Sequence, residues 1–286
     1  MKQKQLFITL AILALAIALS ACGAAIASTP AGSGAAIPEI TIKAFDYSFA
    51  VPDQLEAGLV KINLVNDGQE LHHAQIARLN EGITLEQFQT ALQQDPEAAF
   101  PLITFVGGPG VVDPGRQAQV TVELSPGQYV LLCFLPSHDG VPHLAKGMLK
   151  PIEVVAHTDH DHPDVSEPKA DAMVKLLDFS FVLPSEIKAG EQLWQVVNEG
   201  SQPHEVLIIK LAEGKTMADL QAFVQTYEGV PPYANLGGFQ AITPGESGWL
   251  HLNLEPGNYV AICYVPDPAS GHAHAELGMV IPFTVK

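Results

Sequence analysis

The sequence predicts an all-β protein of two tandem Greek-key β-sandwiches, each with one inserted helix. Three observations predict it. First, apolar and polar residues alternate strictly over short runs, as in Gln117 to Leu124, where Ala118, Val120, Val122 and Leu124 share a face. Second, Pro-Gly and Asn-x-Gly turns punctuate these runs at short intervals. Third, the landmarks of the first half recur in the second. His72 and His204 lie 132 residues apart, Cys133 and Cys263 lie 130 apart, and Met148 and Met279 lie 131 apart. Pro114-Gly115 recurs as Pro244-Gly245, Pro126-Gly127 as Pro256-Gly257, and Asp46-Tyr47-Ser48-Phe49 as Asp178-Phe179-Ser180-Phe181. Spacing this well kept means two copies of one domain.

The chain opens with Lys2 and Lys4, an apolar run from Leu6 to Leu19, and then Leu19-Ser20-Ala21-Cys22. This ending resembles the bacterial lipoprotein signal, which implies a signal peptide over residues 1–22 with Cys22 left as a lipid-modified N-terminus. A plain cleaved signal and a retained anchor are the alternatives, and the run is short for a membrane span. No later segment is long and apolar enough to cross. Residues 23–37, rich in Ala, Gly, Ser and Pro, read as a flexible tether.

The first domain is expected over residues 38–156, with strands at Leu59 to Asn66, Ala74 to Leu79, Tyr129 to Cys133 and Lys150 to Val155. Its helix starts at a capping box, Thr84 with Gln87, and puts Leu85, Phe88 and Leu92 at helical spacing, as core contacts more than a docking face. Residues 157–171 form a linker in which His157, His160 and His162 stand among aspartates. Such a tract could capture metal, but a solvated hinge is the safer reading, because chelation there would cost ordering entropy. The second domain, residues 172–286, repeats the pattern. Ser247 to Leu254 alternates, and Thr216 with Asp219 caps a helix carrying Met217, Leu220 and Val224. Trp194, Trp249 and His251 fall outside the repeated set and read as surface or packing residues.

With 14 basic against 31 acidic residues the formal charge is −17. Nucleic acid and anionic bilayer surfaces are therefore poor ligands, and the charge favours a basic partner or simply solubility. There are three cysteines. If Cys22 carries lipid, Cys133 and Cys263 remain; a bridge between them would join equivalent positions on separate repeats, and each could also be an inert core thiol. The neighbours of each cysteine favour a third role. Cys133, His143 and Met148, like Cys263, His274 and Met279, follow a hydrophobic strand on one loop. Thiolate, imidazole and thioether make a soft donor set suited to copper. An upstream histidine completes each set, since Asn66-Asp67-Gly68 leads to His72 and Asn198-Glu199-Gly200 leads to His204.

These residues resemble the cupredoxins, the small blue copper proteins, over residues 39–155 and 172–286. There the first ligand is a histidine shortly after an Asn-x-Gly turn. The others are a cysteine closing a strand and a His-x-x-x-Gly-Met run, matched by His143 with Gly147-Met148 and His274 with Gly278-Met279. The resemblance implies one copper per domain, two in total, with two imidazoles and a thiolate in a plane and a weak axial thioether that tunes the potential. The chain departs from that family in two places. The step from cysteine to histidine is 10 residues in the first copy, Cys133 to His143, and 11 in the second, Cys263 to His274. The loops also hold His138 and His272 as competing ligands, and His73 and Glu205 stand where many relatives have an asparagine that ties the ligand loops together.

Nitrite reductases and multicopper oxidases resemble this two-domain plan, but place a histidine immediately before the blue-site cysteine. Here Leu132 and Ile262 occupy those positions, no catalytic triad or phosphate loop is evident, and a non-enzyme is expected. The expected function is electron transfer by an extracytoplasmic, lipid-anchored protein whose partner is a small, basic, cytochrome c-like redox protein. A copper storage or delivery lipoprotein is the first alternative. A metal-free binding module is the second, and four ligand types kept twice argue against it.

Overall fold

The computed structural model describes residues 36–94, 96–156 and 165–286. Cys22 and its signal, the tether up to residue 35, and the linker histidines His157, His160 and His162 lie outside the described residues. Among the described residues no helix is long and apolar enough to cross a membrane.

The first repeat contains β1 (Glu39–Phe45), β2 (Ser48–Ala50), β3 (Gln54–Glu56), β4 (Gly58–Asn66), β5 (Gln75–Leu79), β6 (Ile103–Gly107), β7 (Gln117–Leu124), β8 (Gly127–Leu132) and β9 (Leu149–Val155). The second contains β10 (Ala172–Leu177), β11 (Ser180–Val182), β12 (Gly190–Asn198), β13 (His204–Leu211), β14 (Tyr233–Ile242), β15 (Ser247–Leu254), β16 (Gly257–Ile262) and β17 (Val280–Val285). Helix α1 (Leu85–Gln94) is inserted after β5 and α3 (Met217–Val224) after β13, and a four-residue helical turn, α2 (Pro96–Ala99), follows α1. Both expected capping boxes form. Gln87 N donates to Thr84 Oγ1 while Thr84 N donates to Gln87 Oε1, and Thr216 and Asp219 do the same.

The strands make two mixed sheets, in the orders β11-β10-β12-β15-β7-β4-β1-β2 and β17-β16-β13-β14-β6-β5-β8-β9-β3. The core lies between them. Ile62 and Val120 come from one sheet, Ile76 and Leu131 from the other, and all four are buried in one cluster. The second sheet is covered on its outer face too. Phe88 of α1 packs over Val130 and Leu132, and Leu220 of α3 over Ile209 and Val260. That is why β8 and β13 read as continuous apolar runs, whereas β4, with one half-exposed face, alternates.

Both sheets run unbroken through the two repeats, and they cross on equivalent strands. In one sheet Leu250 of β15 faces Val120 of β7 in an antiparallel pair. In the other, Pro109 bridges Phe239, Gly110 N donates to Gly238 O at 2.9 Å, and Gln240 N donates to Gly108 O at 2.8 Å. Val120 and Leu250, like Pro109 and Phe239, are counterparts in the two repeats, and the hydrogen bonds beside them swap partners symmetrically, so a local twofold relation passes through the seam. Thr121, which the alternation would place outward, is fully buried there, and Trp249 and His251 pack against it, with His251 Nε2 2.9 Å from Thr121 Oγ1. Trp194 is buried in the core.

Candidate metal centres

Each centre is assembled where strands end. In the first repeat β4 closes on Asn66, whose side chain shapes the next turn: Gly68 N donates to Asn66 Oδ1 at 2.9 Å, and Asn66 Nδ2 donates to Glu70 O and Val112 O. His72 then bridges Val112 through paired backbone hydrogen bonds. Asn198 repeats the arrangement with Gly200 N, Gln202 O and Ile242 O, and delivers His204 to the first position of β13. Gly68 and Gly200 are required by close approach. A Cβ at Gly68 would lie 2.5 Å from Asp46 Oδ1 and 2.7 Å from His72 Nε2, and one at Gly200 would lie 2.6 Å from Asp178 Oδ1 and 2.7 Å from His204 Nε2.

The other ligands come from the loop after β8 or β16. Cys133 follows Leu132 directly, and Pro136 pairs with Pro142 so that the loop folds out and back before His143. In the second repeat Pro266 pairs with Ala273, and this excursion absorbs the extra residue between Cys263 and His274. A turn of 3-10 helix over His143–Lys146 then ends at Gly147, whose left-handed φ of 105° reverses the chain. Met148 N thereby reaches His143 O, and Met148 O accepts from Cys133 N. Gly278, at φ 115°, does the same for Met279, His274 and Cys263. The His-x-x-x-Gly-Met spacing is the length of that one turn.

The Nδ1 or Nε2 and Sγ ligand atoms of His72, Cys133 and His143 lie within 4.8 Å of one another, as do those of His204, Cys263 and His274. All six residues, and Met148 and Met279, are buried. His138 and His272 are exposed and join neither group; His272 instead contacts Glu276. Cys133 and Cys263 are free thiols, each in its own centre.

The four histidines are oriented from outside. Nε2 of His72 is 3.0 Å from Asp46 Oδ1, Nε2 of His204 is 2.9 Å from Asp178 Oδ1, and Nε2 of His143 is 2.8 Å from Glu70 Oε2. Nε2 of His274 is 3.0 Å from Gln202 Oε1, and Gln202 presents its oxygen because its amide nitrogen donates to Asp267 Oδ1. Each partner is an acceptor, so each Nε2 carries the proton and each Nδ1 is left with a lone pair aimed inward. Burial holds the imidazoles of His72, His204 and His274 below the ordinary histidine range, which keeps them neutral and able to ligate.

Two observations show that this donor set fits a resident soft metal ion. His72 Nδ1 is a buried polar atom without a hydrogen-bond partner. In the second centre Nδ1 of His204 and Nδ1 of His274 face each other at 2.9 Å, and two lone pairs so close repel unless a positive charge lies against both. Each sulfur sits 3.5 Å from Nδ1 of the second histidine. Burial pushes the Cys133 thiol up to about 12 and raises Cys263 as well, so a metal must displace the thiol proton.

The positions after the first histidines still tie the loops together. His73 Nε2 accepts from Phe134 N at 2.8 Å, and Glu205 Oε1 accepts from Tyr264 N at 2.9 Å. Burial drives His73 down to about 3, leaving it neutral, and pushes Glu205 up to about 7. Asp46, Asp178, Glu70 and Gln202 are site residues that the sequence reading passed over. The signal for them was the repeat itself: both aspartates open the duplicated Asp-aromatic-Ser-Phe run, and Glu70 and Gln202 each stand two residues before the first histidine.

No family model and no curated protein matches this chain. Solved structures do. Auracyanin B is 18% identical, covering 42% of this chain and 93% of its own with a TM-score of 0.29. A multicopper oxidase is 16% identical, covering 89% of this chain and 93% of its own at a TM-score of 0.27. A copper-containing nitrite reductase from Thermus scotoductus is 14% identical, covering 88% of this chain and 62% of its own at a TM-score of 0.25. These structures are what the chain is similar to; the chain itself has two mixed β-sheets and two buried His-Cys-His groups. The expectation of a non-enzyme is corrected by these matches. A multicopper oxidase and a copper-containing nitrite reductase are among the structures that align with most of this chain.

Proposed function

We propose that the protein is an electron carrier with one copper ion in each repeat, tethered outside the cytoplasm through a lipid on Cys22. The observation that carries this reading is the convergence of two imidazoles and a thiol in each centre, with every imidazole held from its far side. His72, Cys133, His143 and Met148 hold the first ion; His204, Cys263, His274 and Met279 hold the second. Copper bound there would supply a one-electron couple. The protein's part is to hold one ligand geometry for both oxidation states. The Asn66 and Asn198 turns, the reversals at Gly147 and Gly278, and the His73 and Glu205 ties are made by groups other than the ligand atoms, so they can stay fixed when the oxidation state changes. Met148 and Met279 are the weak ligands and set the potential. An acidic surface, at a formal charge of −17, suits a small basic cytochrome c-like partner.

The test is copper loading of the soluble part, followed by voltammetry and by electron exchange with a basic redox protein at rising salt. The expected result is thiolate-to-copper charge transfer, reversible cycling without metal loss, and exchange that slows as salt rises. Release of copper on oxidation would instead assign the protein to copper storage or delivery. Recovery of native protein in the soluble fraction, starting at a residue other than Cys22, would remove the tether.

A further inference from the structure

The two centres share their ligands but differ in what stands behind the second histidine. We propose, on the copper reading above, that Glu70 holds the first centre at a lower reduction potential than the second, where Gln202 takes its place, so that a single electron given to the protein resides on the second centre.

The comparison is controlled by the molecule itself. Ligand types match, and the first histidines have matching partners in Asp46 and Asp178, at 3.0 and 2.9 Å. Behind His143 stands a carboxylate, Glu70 Oε2 at 2.8 Å; behind His274 stands a neutral amide, Gln202 Oε1 at 3.0 Å. The surroundings changed with them. Tyr47 donates its hydroxyl to the other Glu70 oxygen at 3.1 Å and sets its ring edge-on to His143. Phe179 keeps the ring contact with His274 but has no hydroxyl, where there is no carboxylate to receive one.

A negative charge hydrogen-bonded to a ligand imidazole favours the more positive oxidation state, and the Glu70 side chain, 15% exposed, is only weakly screened. Three other groups could offset this. Asp267 brings a carboxylate toward the second centre, but it reaches His274 only through the intervening Gln202 amide, whose nitrogen donates to Asp267 Oδ1 at 3.0 Å, whereas Glu70 bonds His143 directly. Lys146 lies 3.3 Å from the Tyr47 hydroxyl, but its charge is engaged by Asp139 at 2.7 Å. Glu205 lies beside the second centre, but it is 6% exposed and is spent on the Tyr264 amide, as the counterpart of neutral His73. The Glu205 carboxyl bonds a backbone amide, whereas the Glu70 carboxylate bonds a ligand imidazole directly. The exchange between centres is balanced: one electron is lost by the first and gained by the second.

The experiment is a potentiometric titration of the copper-loaded protein followed by its optical and paramagnetic signals, with Cys133→Ser and Cys263→Ser assigning each wave to a centre. Metal analysis comes first. Fewer than two coppers per chain would overturn the copper reading, and this inference with it. With two bound, the expected result is two separate waves, the second centre reducing first with at least a tenfold preference, about 59 mV for a one-electron couple. Glu70→Gln should raise the first wave and leave the second; Gln202→Glu should lower the second and leave the first. Coincident waves, or two substituted proteins that keep copper with unmoved potentials, would overturn the inference while the copper reading stands.

Discussion

His204 and His274 turn their Nδ1 atoms on each other at 2.9 Å while Asp178 and Gln202 hold their far nitrogens. The pair is poised for a cation, and so is its counterpart, His72 with His143, whose rings lie 4.8 Å apart. Loading should therefore follow a stoichiometry of two. Cys133→Ser and Cys263→Ser should each remove one copper and one charge-transfer band and leave the other, as read by metal analysis and absorption. A thiol assay that found the two cysteines bonded to each other would count against both centres.

The aspartates behind the first histidines should matter nearly as much as ligands. Removing the acceptor frees the imidazole to rotate and to change tautomer, and such losses typically cost 10–100-fold in metal affinity. Asp46→Ala should weaken the first centre by about that factor and Asp178→Ala the second, measured by competition with a copper chelator. Gly68→Ala should act in the same direction, because the new Cβ would press into the Asp46–His72 contact.

Acid should loosen the seam through His251. Burial pushes its folded-state value down to about 4, with Lys61 adding to the shift and Glu39 opposing it, against about 6.5 in the unfolded chain. The fold thus prefers the neutral ring. That stabilisation is fully present above about pH 6.5 and is lost as the pH falls toward 4. Between pH 7 and 4.5 the urea midpoint of the native protein should fall further than that of His251→Gln, which cannot take up the proton.

Phe239 is fully buried at the crossing, with its ring against Gly107 and Gly248. Truncation to alanine should cost about 3–5 kcal/mol. Because both sheets and the main core span the repeats, the loss should appear as a shift of one unfolding transition that carries both copper signals with it. Two transitions, only one of them shifted, would show that the repeats unfold separately.

Most strands and the two His-Cys-His groups could be read from the sequence because both are local or repeated signals. Gln117 to Leu124 and Ser247 to Leu254 match their strands to the residue, since alternation and flanking turns act within a few positions. The choice of His143 over His138 rested on its spacing to Met148, and that spacing is the one-turn reversal at Gly147. What stayed hidden depends on long-range pairing. Nothing in the pattern around Thr121 announces that a strand 130 residues away will lie beside it, and so a polar residue on an outward position is buried. His73 and Glu205 looked like departures from a loop-tying asparagine. A neutral imidazole and a carboxyl can each accept the same backbone N–H, so the tie survives the change of residue.

The crossing of the sheets on equivalent residues has a consequence for what the two halves could become. Val120 against Leu250, and Pro109 against Phe239, form an isologous contact of the kind that closes a symmetric homodimer. In such a dimer both halves are copies of one coding sequence, so an acidic residue at one imidazole is an acidic residue at both. Joining the halves in one polypeptide removes that constraint while keeping the contact surface, and holds them together without dependence on concentration. Glu70 and Gln202 can then differ at positions that identical subunits would have to share.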